Sequence, residues 1–241
     1  MVKRYKRLTY VFANAIEVYE YLDGKYGAPG QAREGKKKAT PEQIEKRNQW
    51  NKERRARHKL REWMNVNDYL SDLTYKVSCR PKDTKEAKEH FQKFLRLVRR
   101  EYKKRGYPLR WMRNIECGTK NGWHIHLIVN RIPDTDIILK TAWEHGKVYS
   151  QLLYEKGEFA ELAAYITKTP KTCPRIREAS YSASRNMPIK EPEEKRFVQW
   201  KKEPKPEEGF YIEKSTYHEG TNKTTGYKYR YYTMIRLNRR I

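Results

Sequence analysis

Two histidines stand one residue apart in the stretch GWHIHLIVN. Alternate residues of this stretch are apolar, which predicts a strand that packs one face on a core. The apolar residues of that face are Trp123, Ile125, Leu127 and Val129. The opposite face would carry His124 and His126, two of the six histidines in the chain. Two imidazoles on one rigid strand are potential ligands of a divalent metal ion.

A carboxylate in the preceding segment WMRNIEC can complete this set of ligands. The segment predicts a strand joined to the histidine strand by a short turn. If Cys117 pairs with Trp123, Glu116 lies directly across from His124 and shares its face. Glu116, His124 and His126 are therefore the predicted metal ligands. A register shift of one residue would move Glu116 to the other face, and ordinary hydrogen-bonded surface side chains are the alternative.

A tyrosine and a lysine lie one helical turn apart in EFAELAAYITKTP, which predicts a helix that stops before Pro170. The apolar stripe of this helix consists of Phe159, Leu162, Ala163 and Ile166. Tyr165 borders the stripe, and Lys168 follows on the same side. A phenol oxygen can attack a phosphodiester, and a nearby ammonium would favour the phenolate. The alternative is a border tyrosine that only covers the core.

The elements that must position these groups indicate an α+β fold. Residues 72–79 predict a strand, and an amphipathic helix with Asp83 and Glu86 at its start follows. Strands at about 110–117 and at the histidines come next, then a helix that begins near Asp134 and the strand KVYSQLL. This order is the ferredoxin-like pattern of an antiparallel sheet with helices packed on one face.

Three segments are predicted along the chain. Residues 1–70 form a basic extension with a helix at about 41–65, for which Thr40 is the expected N-cap. Residues 71–187 form the core, and residues 188–241 form an extension with a long β-hairpin. Residues 24–41 are rich in glycine and lysine and are expected to form a loop.

The composition favours nucleic acid as the partner. Lys and Arg number 54 against 30 Asp and Glu, which gives a formal net charge of +24, and 19 tyrosines accompany them. Phosphates attract such a chain, and unpaired bases stack on its rings. No apolar run is long enough for a membrane helix, and the N-terminus is not expected to be a secretory signal. Three scattered cysteines fit a reducing cytoplasm, although composition alone also fits a merely structural basic protein.

Together these features resemble the HUH endonucleases, and among them the rolling-circle replication initiators (Rep proteins) of Gram-positive plasmids, mobile elements and filamentous phages. The first family motif, Leu-Thr-Tyr, is matched by residues 73–75. The second, His-hydrophobic-His, is matched by residues 124–126, with Glu116 as the preceding acidic ligand. The third is matched by Tyr165 and Lys168, and the segments ELAAYITK, AWEHGKV and YSASRNMP are also similar to that group.

The resemblance implies an enzyme that nicks one DNA strand at an origin and stays joined to the 5′ phosphate through Tyr165. Glu116, His124 and His126 would hold Mg²⁺ or Mn²⁺, and no nucleotide cofactor is implied. The implied partners are single-stranded DNA, origin DNA, and the host helicase and polymerase in a bacterial cytoplasm, and a homo-oligomer is compatible.

Four further residues are expected to contact the DNA backbone near the cut, with a plain surface loop as the alternative. They are Arg175, Arg177, Arg185 and Asn186. This chain has one tyrosine in the third motif, whereas two-tyrosine relatives keep both on that helix, so completion of a replication round stays open. The other open functions are a single-tyrosine transposase, a relaxase and a non-catalytic nucleic-acid-binding module.

Overall fold

The computed structural model describes residues 5–22, 40–118, 122–153, 158–168, 181–222 and 226–237. The chain divides into two compact units, Met1–Asn48 with Lys190–Ile241, and Gln49–Ile189. In chain order the elements are β1 (Tyr5–Val11), β2 (Ala15–Leu22), α1 (Pro41–Trp63), β3 (Tyr69–Thr74), α2 (Thr84–Lys104), β4 (Trp111–Cys117), β5 (Trp123–Val129), α3 (Thr135–Ala142), β6 (Val148–Leu152), α4 (Ala160–Thr167), β7 (Tyr181–Ala183), β8 (Glu193–Phe197), β9 (Phe210–Ile212), β10 (His218–Thr221) and β11 (Lys228–Arg236).

The predicted α+β fold with a ferredoxin-like order is confirmed in the second unit. Strands β3, β4, β5 and β6 with helices α2 and α3 follow the order strand, helix, strand, strand, helix, strand. They form an antiparallel sheet in the order β6-β3-β5-β4-β7. The first and third strands of the pattern are therefore neighbours at the centre, which puts β3 directly beside the histidine strand β5.

Helices pack on both faces of this sheet, so the expectation of helices on one face was wrong. The apolar residues of β5 face a core formed with α2 and α3, which includes Phe91, Val98 and Leu139. The opposite face carries Met112 and Ile128, and these contact a second cluster that includes residues of α1 and α4. The apolar stripe of α4 binds it to the sheet face that also carries the histidines.

Local signals placed the helix ends well. Thr40 accepts a hydrogen bond from the backbone of Gln43 at 3.3 Å, as an N-cap residue does. Asp83 likewise accepts from the backbone of Glu86 at 2.9 Å at the start of α2. Gly106 follows the end of α2 with a φ of 79°, the left-handed conformation that ends many helices.

Strand β3 ends earlier than the predicted strand at residues 72–79. The backbone of Lys76 donates to the carbonyl of His145 at 2.9 Å, and the indole of Trp143 donates to the carbonyl of Thr74. These bonds draw the chain out of the sheet, and a 3₁₀ turn follows at Val77–Cys79. The β-forming residues of this stretch therefore serve a turn whose partners lie far along the chain.

Gly146 lies where this connecting segment touches the end of β3. A Cβ atom added there would lie 2.0 Å from the carbonyl oxygen of Thr74, a backbone atom that cannot easily move. Thr74 pairs with His124, so the close approach at Gly146 also fixes the sheet beside the histidines.

Replacement of Gly146 by alanine is expected to destabilise the protein by about 2 kcal/mol or more, because the backbone must shift to remove the clash. Urea denaturation would measure the loss. The matched control is Gly106→Ala, where no atom lies within 4 Å of the added Cβ and only the positive φ opposes it. That control should cost about 1 kcal/mol, and equal losses for the two variants would contradict the steric explanation.

The first unit is a sheet built from both ends of the chain, in the order β10-β11-β2-β1-β8, with β9 paired to β11. The predicted C-terminal hairpin is confirmed as β10 and β11, which pair with Thr221 opposite Lys228. Strands β1, β2 and β8 were not predicted. The proposed boundaries at residues 70 and 187 stay predictions, although strands from the first and last predicted segments share this sheet. Most of the loop expected at 24–41 lies outside the described residues.

Candidate active site

The register of the histidine hairpin is the one predicted. Cys117 pairs with Trp123, and Glu116 pairs with His124. Paired residues of antiparallel strands share a face, so Glu116 and His124 lie side by side with His126 two residues further on. The apolar residues of β5 pack on the opposite face.

Asp72 is a member of this cluster that the sequence analysis missed. It pairs with His126 across β3 and β5. Its Oδ2 lies 3.4 Å from Nδ1 of His124, and its Oδ1 lies 3.7 Å from Nδ1 of His126. The signal that could have found it is the ferredoxin-like order, because this order puts the first strand beside the histidine strand.

Tyr165 reaches the same cluster from α4. Its hydroxyl lies 2.9 Å from Nδ1 of His126, and the two rings are 5.1 Å apart. On the other edge of that imidazole, Nε2 lies 3.2 Å from Oε2 of Glu116. His126 therefore stands between a phenol and a carboxylate and can hold or pass a proton between them.

The end of α4 is bound to the sheet beside this cluster. Asn114 pairs with His126 and shares its face. Its side-chain nitrogen donates a hydrogen bond of 2.8 Å to the carbonyl of Lys168, the residue that ends α4. Asn114 thus positions the helix that carries Tyr165, a role that no pattern in the sequence indicated.

The carboxylates dominate the electrostatics of the cluster. The hydrogen bond from His124 to Asp72 raises the pKa of that imidazole against the effect of its burial. Burial, together with the charges of Asp72 and Glu116, raises the pKa of the Tyr165 hydroxyl to about 12. The expected stabilisation of the phenolate by Lys168 is not among the causes of this shift, and it stays a prediction.

The predicted metal ligands share a face but do not converge on one point. Across the described ranges, no group of three or more His, Cys, Asp or Glu side chains is arranged to hold a metal ion. His124 turns towards Asp72 and His126 towards Glu116, with the two imidazole rings nearly parallel and 6.3 Å apart.

The donor chemistry nevertheless fits a divalent ion. Oδ1 of Asp72 is buried without a hydrogen-bond partner, so this acceptor can bind a cation. Two carboxylates and two imidazoles suit Mn²⁺, and the carboxylates also suit Mg²⁺. Asp72, Glu116, His124 and His126 would hold such an ion after their mutual contacts open.

The residues predicted to contact DNA are placed only in part. Arg175 and Arg177 lie outside the described residues. Arg185 is exposed just after β7. The side-chain nitrogen of Asn186 donates to the carbonyl of Leu109 at 3.1 Å, so this residue also fixes a loop. Contact of either residue with DNA stays a prediction.

The fold and site define a class: an α+β protein whose ferredoxin-like sheet carries histidines, acids and a helix-borne tyrosine on one face. Residues 68–170 match a family model described as replication-associated protein, of the ORF2 type. The matched segment contains Asp72, Glu116, His124, His126 and Tyr165, and it is consistent with a Rep-type replication initiator. Neither a search of curated proteins nor a search of solved structures gave a significant match. No helix in the described part of the chain is long and apolar enough to cross a membrane.

Proposed function

We propose that the protein is a replication initiator that nicks and rejoins single-stranded DNA at an origin through a covalent link to Tyr165. The observation that carries the proposal is the distance of 2.9 Å between the Tyr165 hydroxyl and His126, which puts a nucleophile at the histidine cluster. The match of residues 68–170 to a replication-associated family supports the biological setting.

In the proposed reaction the Tyr165 oxygen attacks a phosphodiester and forms a bond to phosphorus. The bond from phosphorus to the 3′ oxygen breaks, and that oxygen takes up a proton to leave a free 3′-OH. The DNA stays attached through its 5′ phosphate. In the reverse step a 3′-OH attacks the phosphotyrosine, which rejoins the strand and releases Tyr165.

His126 has a positioning role in this reaction. With Nε2 directed to Glu116, Nδ1 is the atom that meets the Tyr165 hydroxyl. When Nε2 binds a metal ion, Nδ1 carries the proton and donates a hydrogen bond to the tyrosine oxygen, which favours the phenolate. A divalent ion held here would polarise the scissile phosphate and offset the charges of the two carboxylates.

A library of single-stranded oligonucleotides tests the proposal directly. The wild-type protein is incubated with the library and Mn²⁺, and covalent adducts are isolated under denaturing conditions and sequenced. We expect adducts that share one cleavage sequence and disappear with EDTA. DNA binding without any adduct under Mg²⁺ or Mn²⁺ would instead support a non-catalytic binding module.

Asp72→Asn is expected to slow adduct formation by about 10- to 100-fold and to raise the Mn²⁺ concentration needed for half-maximal rate. The reason is that Asp72 contacts both histidines and offers a buried oxygen without a hydrogen-bond partner. The control is Asp136→Asn, an exposed carboxylate on α3. A variant at Asp72 with the wild-type rate and Mn²⁺ dependence would remove Asp72 from the site.

A further inference from the structure

A basic cavity of about 240 Å³ lies in the first unit, at strands β1, β8 and β11. Five of its lining residues are cationic and one is acidic. The cations are Arg7, Lys195, Arg196, Lys201 and Arg230, and the acid is Glu20. This cavity belongs to the unit that does not contain the tyrosine and the histidine cluster.

The floor of the cavity is fixed by a buried carboxylate held between two arginines. Glu20 is fully buried and accepts from Nε of Arg7 at 2.6 Å and from Nε of Arg230 at 2.8 Å. Arg230 is itself buried, lies 4.7 Å over the ring of Trp200, and donates to the carbonyl of Lys201. These contacts make the floor rigid, and Glu20 balances only one of the two guanidinium charges.

The rim of the cavity adds positive charge. Arg196 lies 3.7 Å from Glu194, and Arg230 lies 3.8 Å from Glu219. With Glu20, the cavity has three carboxylates against five cations, so two positive charges are in excess among the groups named. The exposed Lys195 and Lys201 carry charge at this rim. Like charges gathered in a concave site repel one another and attract an anion.

We propose that this cavity binds a backbone phosphate of a DNA strand. A guanidinium presents paired donors that match phosphate oxygens, and Arg7 is about one-third exposed with its donors at the cavity. Phe197 lines the cavity and stacks on Tyr5 at 5.4 Å, so aromatic surface for bases adjoins the phosphate site. The site is a second DNA contact that does not depend on cleavage at Tyr165.

The test compares two double variants of equal charge in EDTA, so that binding is measured without cleavage. Lys195→Gln with Lys201→Gln removes the rim charges, and Lys205→Gln with Lys214→Gln removes two exposed lysines of the same unit away from the cavity. Fluorescence anisotropy with a single-stranded oligonucleotide gives the affinity across a salt series. We expect the cavity variant to bind about 3- to 10-fold more weakly near 0.15 M salt, with a slope of log K against log salt shallower by about 0.7 or more.

The control variant should keep the wild-type affinity within about twofold, since charge alone acts diffusely. Equal losses in the two variants would overturn the proposal, because they would show a general effect of net charge. A second arm uses inorganic phosphate alone. If phosphate raises the melting temperature of the wild type but not of the cavity variant while both bind DNA equally, the cavity holds free anions and the DNA proposal fails.

Discussion

Tyr165→Phe is expected to abolish the covalent protein–DNA adduct, with a fall of at least about 10³-fold in its rate of formation. The phenyl ring keeps the stacking contact with His126 but has no oxygen to attack phosphorus. The side chain is 42% exposed, so the change leaves the core of the unit intact. Denaturing gels of the protein with a labelled oligonucleotide and Mn²⁺ measure the adduct.

The matched control for this variant is Tyr149→Phe. Tyr149 lies on β6 opposite Asp72, which puts it on the same face of the sheet, and it is 58% exposed. It is therefore a second phenol near the cluster, but it lies two strands from His126. We expect Tyr149→Phe to form the adduct at the wild-type rate, and an adduct formed normally by Tyr165→Phe would exclude Tyr165 as the nucleophile.

His126→Ala is expected to lower the rate of cleavage by about 10³-fold, because it removes the group that contacts both Tyr165 and Glu116. The affinity for single-stranded DNA and its dependence on salt should change little, since the phosphate contacts come from other parts of the chain. Cleavage in single-turnover assays and binding by anisotropy measure the two effects separately.

Two further variants separate chemistry from folding. His126→Asn keeps a polar side chain in the partly buried position and should be as inactive as the alanine variant. His218→Ala removes an exposed histidine from the other sheet and should cleave normally. If His126→Ala kept more than about one-tenth of the wild-type rate, His126 would have no essential role.

The hairpin was predictable because its register depends on local chemistry. A short turn and strict alternation of apolar residues leave one register that buries Ile125 and Leu127. The helix ends were predictable for the same reason, since caps such as Asp83 act within one turn. The ferredoxin-like order followed from the sequence of these local elements.

What the sequence could not provide were contacts between distant segments. The approach of Tyr165 to His126 depends on how α4 packs on the sheet, and these residues are 39 positions apart. The pairing of Asp72 with His126 requires the sheet order, and it lies in a strand whose end was misplaced. The buried pair of Glu20 and Arg230 joins residues 210 positions apart, so no local pattern marks either strand.

Identification of the modified residue in the adduct is the most direct test of the central claim. The adduct is digested with nuclease and trypsin, and the peptides that retain a nucleotide are sequenced by mass spectrometry. Cleavage after Lys156 and Lys168 gives a peptide, residues 157–168, in which Tyr165 is the only tyrosine, whereas Tyr149 falls in residues 148–156. We predict a nucleotide joined through its 5′ phosphate to Tyr165, and a nucleotide on Tyr149 or on any other residue would contradict the proposed mechanism.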